Sequence, residues 1–299
     1  MPPEAPEKTR RQKITSWLFE RLGRSVMTAY GTTRTLYRGR SRFQSIELAE
    51  NPELGKLLLL DNELQSASSD EFIYHETLVH PAMLAHPNPR QVVILGGGEG
   101  GTLREVLKHP SVERAIMIDI DREVVEACRR FLPEQSDGAF EDPRAELVFD
   151  DAREWVERTR EPIDVIISDL TEPKISELSA SLFSERFFDL LSRRLAPDGI
   201  LSLQASHGSP SKLDRHKAIR GNLLNAFERV RTLLCTIPSF HCLWCFATAS
   251  QCWDPGLLDS REIDRRIQAR KVEGLRFYDG QTHQRLVSLP HNFRTALRS

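Results

Sequence analysis

Gln91-Val-Val-Ile-Leu-Gly-Gly-Gly-Glu-Gly-Gly-Thr102 is the stretch on which the fold turns. An uninterrupted apolar run, Val92 to Leu95, runs straight into glycines, and a helix-compatible segment, Leu103 to Leu107, follows. That order implies a buried parallel strand, a tight turn and the start of a helix. In open α/β sheets, ligands bind outside the carboxyl ends of such strands. Glycines at the turn let a ligand approach the backbone closely. Glu99 is the unusual residue. A carboxylate beside a helix N-terminus repels phosphate and suits a cation or a ribose hydroxyl, so the turn points to a positively charged nucleoside and away from a pyrophosphate cofactor.

Strand and helix signals alternate downstream. Apolar strands are expected at Ala115–Ile120, Glu146–Phe149, Ile163–Ser168 and Gly199–Gln204. Helices are expected at Arg122–Phe131, Ala152–Arg158, Leu182–Leu195 and His216–Phe227. The segment Cys235 to Ser250 alternates like a strand, the part around His241 to Ser250 is expected to end the sheet, and Leu275 to Pro290 reads as an extended piece and a last helix. The fold class implied is α/β, a doubly wound, Rossmann-like and mostly parallel sheet. Upstream, period-two segments from Thr32 to Gln65 predict a small antiparallel β domain. Ile14, Trp17, Leu18, Leu22 and Val26 stand at helical spacing and predict an amphipathic helix over 13–28. The expected organisation is a disordered tail over 1–12, an N-terminal helix and small β domain over 13–69, and a Rossmann-like catalytic domain over 70–299.

Composition narrows the function. The chain has 299 residues, a formal net charge of −2 and no long apolar run. Neither nucleic acid nor a membrane is an expected partner. The charged, proline-rich start lacks the apolar core of a signal peptide, and a cytosolic location is expected. Five cysteines then default to free thiols. Cys242 and Cys245 have the spacing of a zinc or redox pair, but they lie in an apolar strand-like segment, which favours core packing. No metal is expected.

Acidic residues recur where the strands end: Glu99, Asp119 with Asp121, Asp150 with Asp151, and Asp169 with Glu172. Carboxyl ends of successive strands converge on one crevice. An acidic residue about twenty positions past the glycines suits ribose hydroxyls, and Asp119 stands there. Helix N-caps also favour aspartate, which is the plain alternative for any one of these positions. Like charges crowded in a cleft are costly unless cations bind there.

Residues 43 to 173 resemble the polyamine aminopropyltransferases, also called spermidine synthases. The matching segments are Phe43-Gln44, Gln65 to Glu76, His86-Pro-Asn-Pro, Gly96 to Gly101, Asp119-Ile-Asp, Asp142-Pro-Arg, Asp150-Asp-Ala-Arg and Asp169-Leu-Thr-Glu-Pro173. The Gly-Gly-Gly-Glu turn, Asp119-Ile-Asp and Phe240 are similar to one branch, the thermospermine synthases and the enzymes acting on agmatine or triamines. Putrescine-using members commonly carry Tyr at the position of Phe240.

The resemblance implies transfer of an aminopropyl group from decarboxylated S-adenosylmethionine, a co-substrate, to an amine, with release of methylthioadenosine and no prosthetic group. By the same resemblance Gln44, His75, Gly96, Gly98, Glu99, Asp119, Asp151 and Ala152 bind the donor. Asp169 is the general base and Tyr74 orients the amine. Glu172, Gln204 and Phe240 line the acceptor channel, and the protein is a homodimer or homotetramer. The acceptor stays open among agmatine, putrescine, spermidine and longer polyamines. The alternatives are a methyltransferase using intact S-adenosylmethionine and a non-catalytic nucleoside-binding relative. Two departures stand out. Lys174 to Phe183 replaces the usual lid sequence, and Asn62 stands where Gly is usual after Asp61, a turn that asparagine tolerates.

Overall fold

A computed structural model describes residues 13–171 and 181–298. The tail over 1–12, Glu172 and most of the lid run Lys174 to Phe183 lie outside the described residues. The chain divides into two compact units, one ending at Ser69 and one beginning at Asp70.

In the first unit, β1 (Ser16–Arg21) and β2 (Met27–Thr32) form an antiparallel hairpin. This corrects the helix expected over 13–28. The apolar residues there occupy both faces of a strand. Leu18 and Tyr30 are buried, whereas Trp17, Phe19 and Met27 are more than half exposed on the opposite face. Period two with two apolar faces imitates helical spacing. On the buried face Glu20 accepts from the Tyr30 hydroxyl at 2.8 Å and from the Leu64 N–H at 3.2 Å, so its carboxylate is paired. β3 (Arg34–Arg40), β4 (Ser45–Asn51), β5 (Gly55–Leu60) and β6 (Glu63–Ala67) form an antiparallel sheet in sequence order. Asp61 and Asn62 join β5 to β6 with φ of 49° and 63°. Both values suit a two-residue hairpin turn, and both side chains tolerate them.

The second unit opens with α1 (Glu71–Ala85) and is built on a seven-stranded sheet. β7 (Gln91–Gly96), β8 (Arg114–Asp119), β9 (Ala145–Phe149), β10 (Ile163–Asp169), β11 (Leu195–His207), β12 (Arg229–Ile237) and β13 (Cys242–Ser250) lie in the order β12-β13-β11-β10-β7-β8-β9. β11, β10, β7, β8 and β9 are parallel, and β13 is antiparallel to both its neighbours. The apolar run of β7 is continuous because both its faces are covered. Val92 and Ile94 pack on one side with Leu78 and Met83 of α1 and with Leu103 of α2 (Gly101–Leu107). Val93 and Leu95 pack on the other, with Val156 of α5 (Ala152–Arg158) and with Phe187 and Leu223 of helices Glu185–Arg194 and Leu213–Ala226.

The strand-like segment Cys235–Ser250 is the end of β12, a break at Pro238-Ser-Phe240, and β13, which is the strand expected around His241 to Ser250. Within Leu275 to Pro290 the structure has non-helical chain to Asp279 and then helix Gly280–Val287, as expected, and helices Ser260–Ala269 and His291–Ala296 flank that stretch. Helix Ser260–Ala269 buries only Ile263 fully. Cys242 and Cys245 face opposite sides of the sheet, as residues three apart on a strand must. Burial pushes the Cys245 thiol up to about 12, which suits an inert core residue.

Candidate active site

The chain leaves β7 for β8 on one side, while β10 pairs with β7 on the other, which makes the carboxyl ends of β7 and β10 the topological switch point. Gly96 and Asp169 are register partners there. Gly96 has φ of 81°, and a Cβ on it would stand 2.5 Å from the Asp169 carbonyl oxygen, so only glycine lets the two strand ends meet. Gly98 similarly leaves room for Asp119, whose Oδ2 would be 2.8 Å from an added Cβ.

Asp169 is held at both oxygens. The Tyr74 hydroxyl of α1 donates to Oδ1 at 2.7 Å, and the Thr102 hydroxyl of α2 donates to Oδ2 at 2.5 Å. Sequence reading missed Thr102. It is fully buried and its partner is 67 residues away, so nothing in its local pattern marks it.

Glu99 has a different support. His75 Nε2 stands 3.2 Å from Glu99 Oε1, and His75 Nδ1 stands 2.7 Å from Glu71 Oε2. The His75 ring is buried, so it reaches toward a ligand only through Glu99. Burial opposes its charge, but hydrogen bonds with Glu71 and Glu99 outweigh that and raise its pKa to about 10. Burial raises the Glu99 pKa; His75 opposes the rise, and the charges of Asp169 and Glu71 add to it.

Asp119 ends β8, and its Oδ1 accepts from the Asp121 N–H at 2.8 Å. Burial, together with the charges of Asp121, Glu99 and Asp169, raises its pKa to about 7 despite that hydrogen bond. Glu99, Asp119 and Asp169 thus form one acidic group. Asp121 and Asp151 cap α3 (Arg122–Phe131) and α5. Asp151 Oδ1 accepts from the N–H groups of Arg153 and Glu154 at 2.8 and 3.3 Å, which fixes Ala152 as the first residue of α5.

On the other side of Tyr74 stands an aromatic wall. Its ring lies 6.1 Å from Phe240, and Phe240 lies 5.1 Å from Trp244. Gln204 was expected to line the acceptor channel. It is instead buried with both amide ends engaged. Nε2 donates to the Leu170 carbonyl at 2.7 Å and Oε1 accepts from the Ser206 N–H at 3.1 Å. It braces the backbone that follows Asp169. Gln44 belongs to the first unit, in the turn before β4, where its N–H donates to the Ser41 hydroxyl at 3.2 Å.

An acidic crevice with a carboxylate carried on hydroxyls, set at the switch point of a doubly wound sheet, suits a cationic ligand. Comparison with known proteins gives the class. Residues 71–253 match the spermine/spermidine synthase domain, and residues 16–68 match the spermidine synthase tetramerisation domain. A polyamine aminopropyltransferase 2 of Pseudomonas aeruginosa is 44% identical over 241 residues, covering 81% of this chain and 69% of the relative. A polyamine aminopropyltransferase 1 of Hyperthermus butylicus is 44% identical over 272 residues, covering 89% and 92%. A spermidine synthase solved with the transition-state analogue AdoDATO superposes with a TM-score of 0.89 at 33% identity, covering 97% of this chain and 98% of that one. The chain belongs to the spermidine synthase, or polyamine aminopropyltransferase, family. It is a transferase that moves an aminopropyl group from decarboxylated S-adenosylmethionine to an amine.

Proposed function

We propose that the acceptor is a linear amine longer than putrescine, of the agmatine or triamine kind, with a cationic group at its far end. The Gly-Gly-Gly-Glu99 turn and the Asp119-Ile-Asp strand end support this, as does Phe240. The Phe240 ring extends the apolar face between Tyr74 and Trp244 without adding a hydroxyl, a surface for methylenes between two charged ends. Glu172 is the proposed partner of the distal cation.

The observation that carries the chemistry is the double support of Asp169 by Tyr74 and Thr102 at the strand end. A free alkylamine is protonated at neutral pH, with a pKa near 10. Asp169 takes that proton, the freed nitrogen lone pair attacks the propyl carbon, the C–S bond breaks and its electrons leave with methylthioadenosine. Tyr74 orients Asp169 against the amine. Holding the amine in line with the C–S bond supplies much of the rate. On the donor side Asp119 takes the ribose hydroxyls, Glu99 the ammonium end, and Asp151 with Ala152 the adenine, while Gly96 and Gly98 keep the floor of the pocket low.

Purified protein supplied with the decarboxylated donor and a panel of agmatine, putrescine, spermidine and spermine tests the reading. Methylthioadenosine release should be fastest with agmatine or a triamine. Fastest release with putrescine would overturn the acceptor assignment. We also infer a homotetramer in which the exposed face bearing Trp17, Phe19 and Met27 is covered. Light scattering of Phe19→Glu should then report a smaller species than wild type; an unchanged mass would remove that face from the interface.

A further inference from the structure

Behind the glycine-rich turn lies a cluster of buried charge that the reaction does not use directly. Glu71, at the first turn of α1, is 4% exposed at its side chain. Arg104 of α2 forks onto it, with Nη1 3.1 Å from Oε1 and Nη2 2.8 Å from Oε2, and Arg276 Nη1 lies 4.0 Å away. The fork is itself fixed. Arg104 Nη1 also donates to the Gln135 carbonyl at 2.6 Å, and its Nε donates to Glu105 at 2.8 Å. Glu105 in turn is paired with Lys108 and His80. A planar, bidentate pair of this kind holds a carboxylate in one orientation.

His75 lies between Glu71 and Glu99, with a carboxylate oxygen at each ring nitrogen. A neutral imidazole has one N–H and one lone pair, and it would aim that lone pair at one of the two carboxylates. A ring with ionised carboxylates on both sides donates from both nitrogens, as an imidazolium. The ring sits against the backbone of Gly101, where a Cβ would stand 2.4 Å from its Cε1. Its position is therefore set by the turn as well as by its two partners.

We propose that Glu71, clamped by Arg104, is the positioning residue of the donor site: it keeps His75 a double donor, and His75 holds Glu99 by Oε1 so that Oε2 is presented to the ammonium end of the nucleoside. The pair then sets both donor affinity and the preference for the decarboxylated over the carboxylated nucleoside, because a fixed, ionised Glu99 attracts an ammonium and repels a carboxylate. The inference rests on the reading of Glu99 as the donor's ammonium site.

Glu71→Gln keeps the shape and the acceptor oxygen but removes the charge. Arg104 and His75 are then buried cations without their shared counter-ion. The ring gives up its Nδ1 proton and accepts there from the introduced amide N–H, so Nε2–H still donates to Glu99 but from a neutral ring, and the charge-assisted contact becomes an ordinary one. Hydrogen bonds to charged groups are the stronger class, so the KM for the decarboxylated donor should rise about tenfold or more. kcat at saturating donor and the KM for the amine should stay within about threefold, and the ratio of donor KM to the Ki of intact S-adenosylmethionine should rise by a similar factor of about ten.

A folded Glu71→Gln protein whose donor KM lies within about twofold of wild type would overturn the proposal. So would a fall in kcat and a rise of both KM values together with a lowered Tm, the pattern of lost packing alone. Should the variant not fold, ¹³C and ¹⁵N shifts of the His75 ring in the wild-type protein decide. An imidazolium persisting at pH 8 supports the proposal and a neutral ring overturns it. Glu99→Gln separates this inference from the reading beneath it. A raised donor KM in Glu99→Gln but not in Glu71→Gln removes only the role of Glu71, whereas no change in Glu99→Gln removes Glu99 as the ammonium site and the proposal with it.

Discussion

Two carboxylates flank the crevice and are supported in opposite ways. Asp169 is held by neutral hydroxyls, Tyr74 on one oxygen and Thr102 on the other. Glu99 is held by His75, whose pKa of about 10 keeps it charged at neutral pH. Neutral donors fix a carboxylate in place without cancelling its charge, so it can still accept a proton. A cationic donor opposes the rise that burial and the charges of Asp169 and Glu71 impose on Glu99. The first arrangement suits a general base and the second suits a counter-ion held in one place. The same two helices supply both, since Tyr74 and His75 are neighbours on α1 and the glycine turn leads into Thr102 on α2.

Substituting each carboxylate by its amide breaks the comparison at its strongest point. Asp169→Asn should lower turnover by about a hundredfold or more, the usual scale for a positioned base, with little change in donor KM. Glu99→Gln should do the reverse, raising donor KM by about tenfold to a hundredfold with a smaller effect on turnover, as the loss of a charge-assisted contact requires. Steady-state kinetics on both variants checks this. Equal effects on both parameters in both variants would mean that the two groups do not divide the work.

Asp119 sharpens the contrast, because among the described residues a backbone N–H from Asp121 is what stabilises its charge, and its pKa stands at about 7. The unfolded carboxyl titrates near 4. Between about pH 4 and 7 the folded protein therefore binds more protons than the unfolded chain, and this group makes the ligand-free protein less stable as pH rises through that window. Its ionised form is the one that favours a cationic nucleoside. Donor affinity is expected to rise about tenfold from pH 6 to pH 8, following the ionised fraction of a group with that pKa. Titration calorimetry should show proton release on binding near pH 6.5, and Asp119→Asn should abolish the release. Proton release that survives in the variant would place the titration on another group.

The parts of this architecture visible in the sequence were those encoded locally. Val92 to Leu95 announces a strand covered on both faces, and the carboxylates at strand ends announce the crevice, because strand order alone brings them together. Asp121 shares that signature and caps a helix, as does Asp151, so strand-end position alone does not separate a carboxylate that only caps from one that also faces the crevice. The hairpin at 16–32 was hidden because Trp17 and Phe19 are apolar on an exposed face. Gln204 looked like a channel residue and is a brace, since which way an amide points is decided by the carbonyl it meets. Thr102, Glu71 and Arg104 carried no local mark at all. Their roles exist only through partners brought together by folding, 67 residues apart for Thr102 and Asp169 and 33 for Arg104 and Glu71.

Thr102 offers the finest division of the comparison. Val has nearly its shape and lacks only the hydroxyl, so Thr102→Val removes the donor to Asp169 Oδ2 and leaves Tyr74 on Oδ1. A hydrogen bond to a charged group contributes about 1.5 to 3 kcal/mol, and the lower end corresponds to about a tenfold change. The lost bond leaves the Asp169 carboxylate free to rotate about its remaining partner, and the cost falls on the step that needs its lone pair aimed at the amine. Turnover should fall about tenfold while donor and amine KM values stay within about twofold. Thr102→Ser restores the hydroxyl without the methyl and should recover most of the rate. If Thr102→Ser is as slow as Thr102→Val, the methyl group and its packing matter rather than the hydroxyl. If Thr102→Val is as fast as wild type, Tyr74 alone is enough to aim the base, and Asp169 and Glu99 differ less in their support than the distances imply.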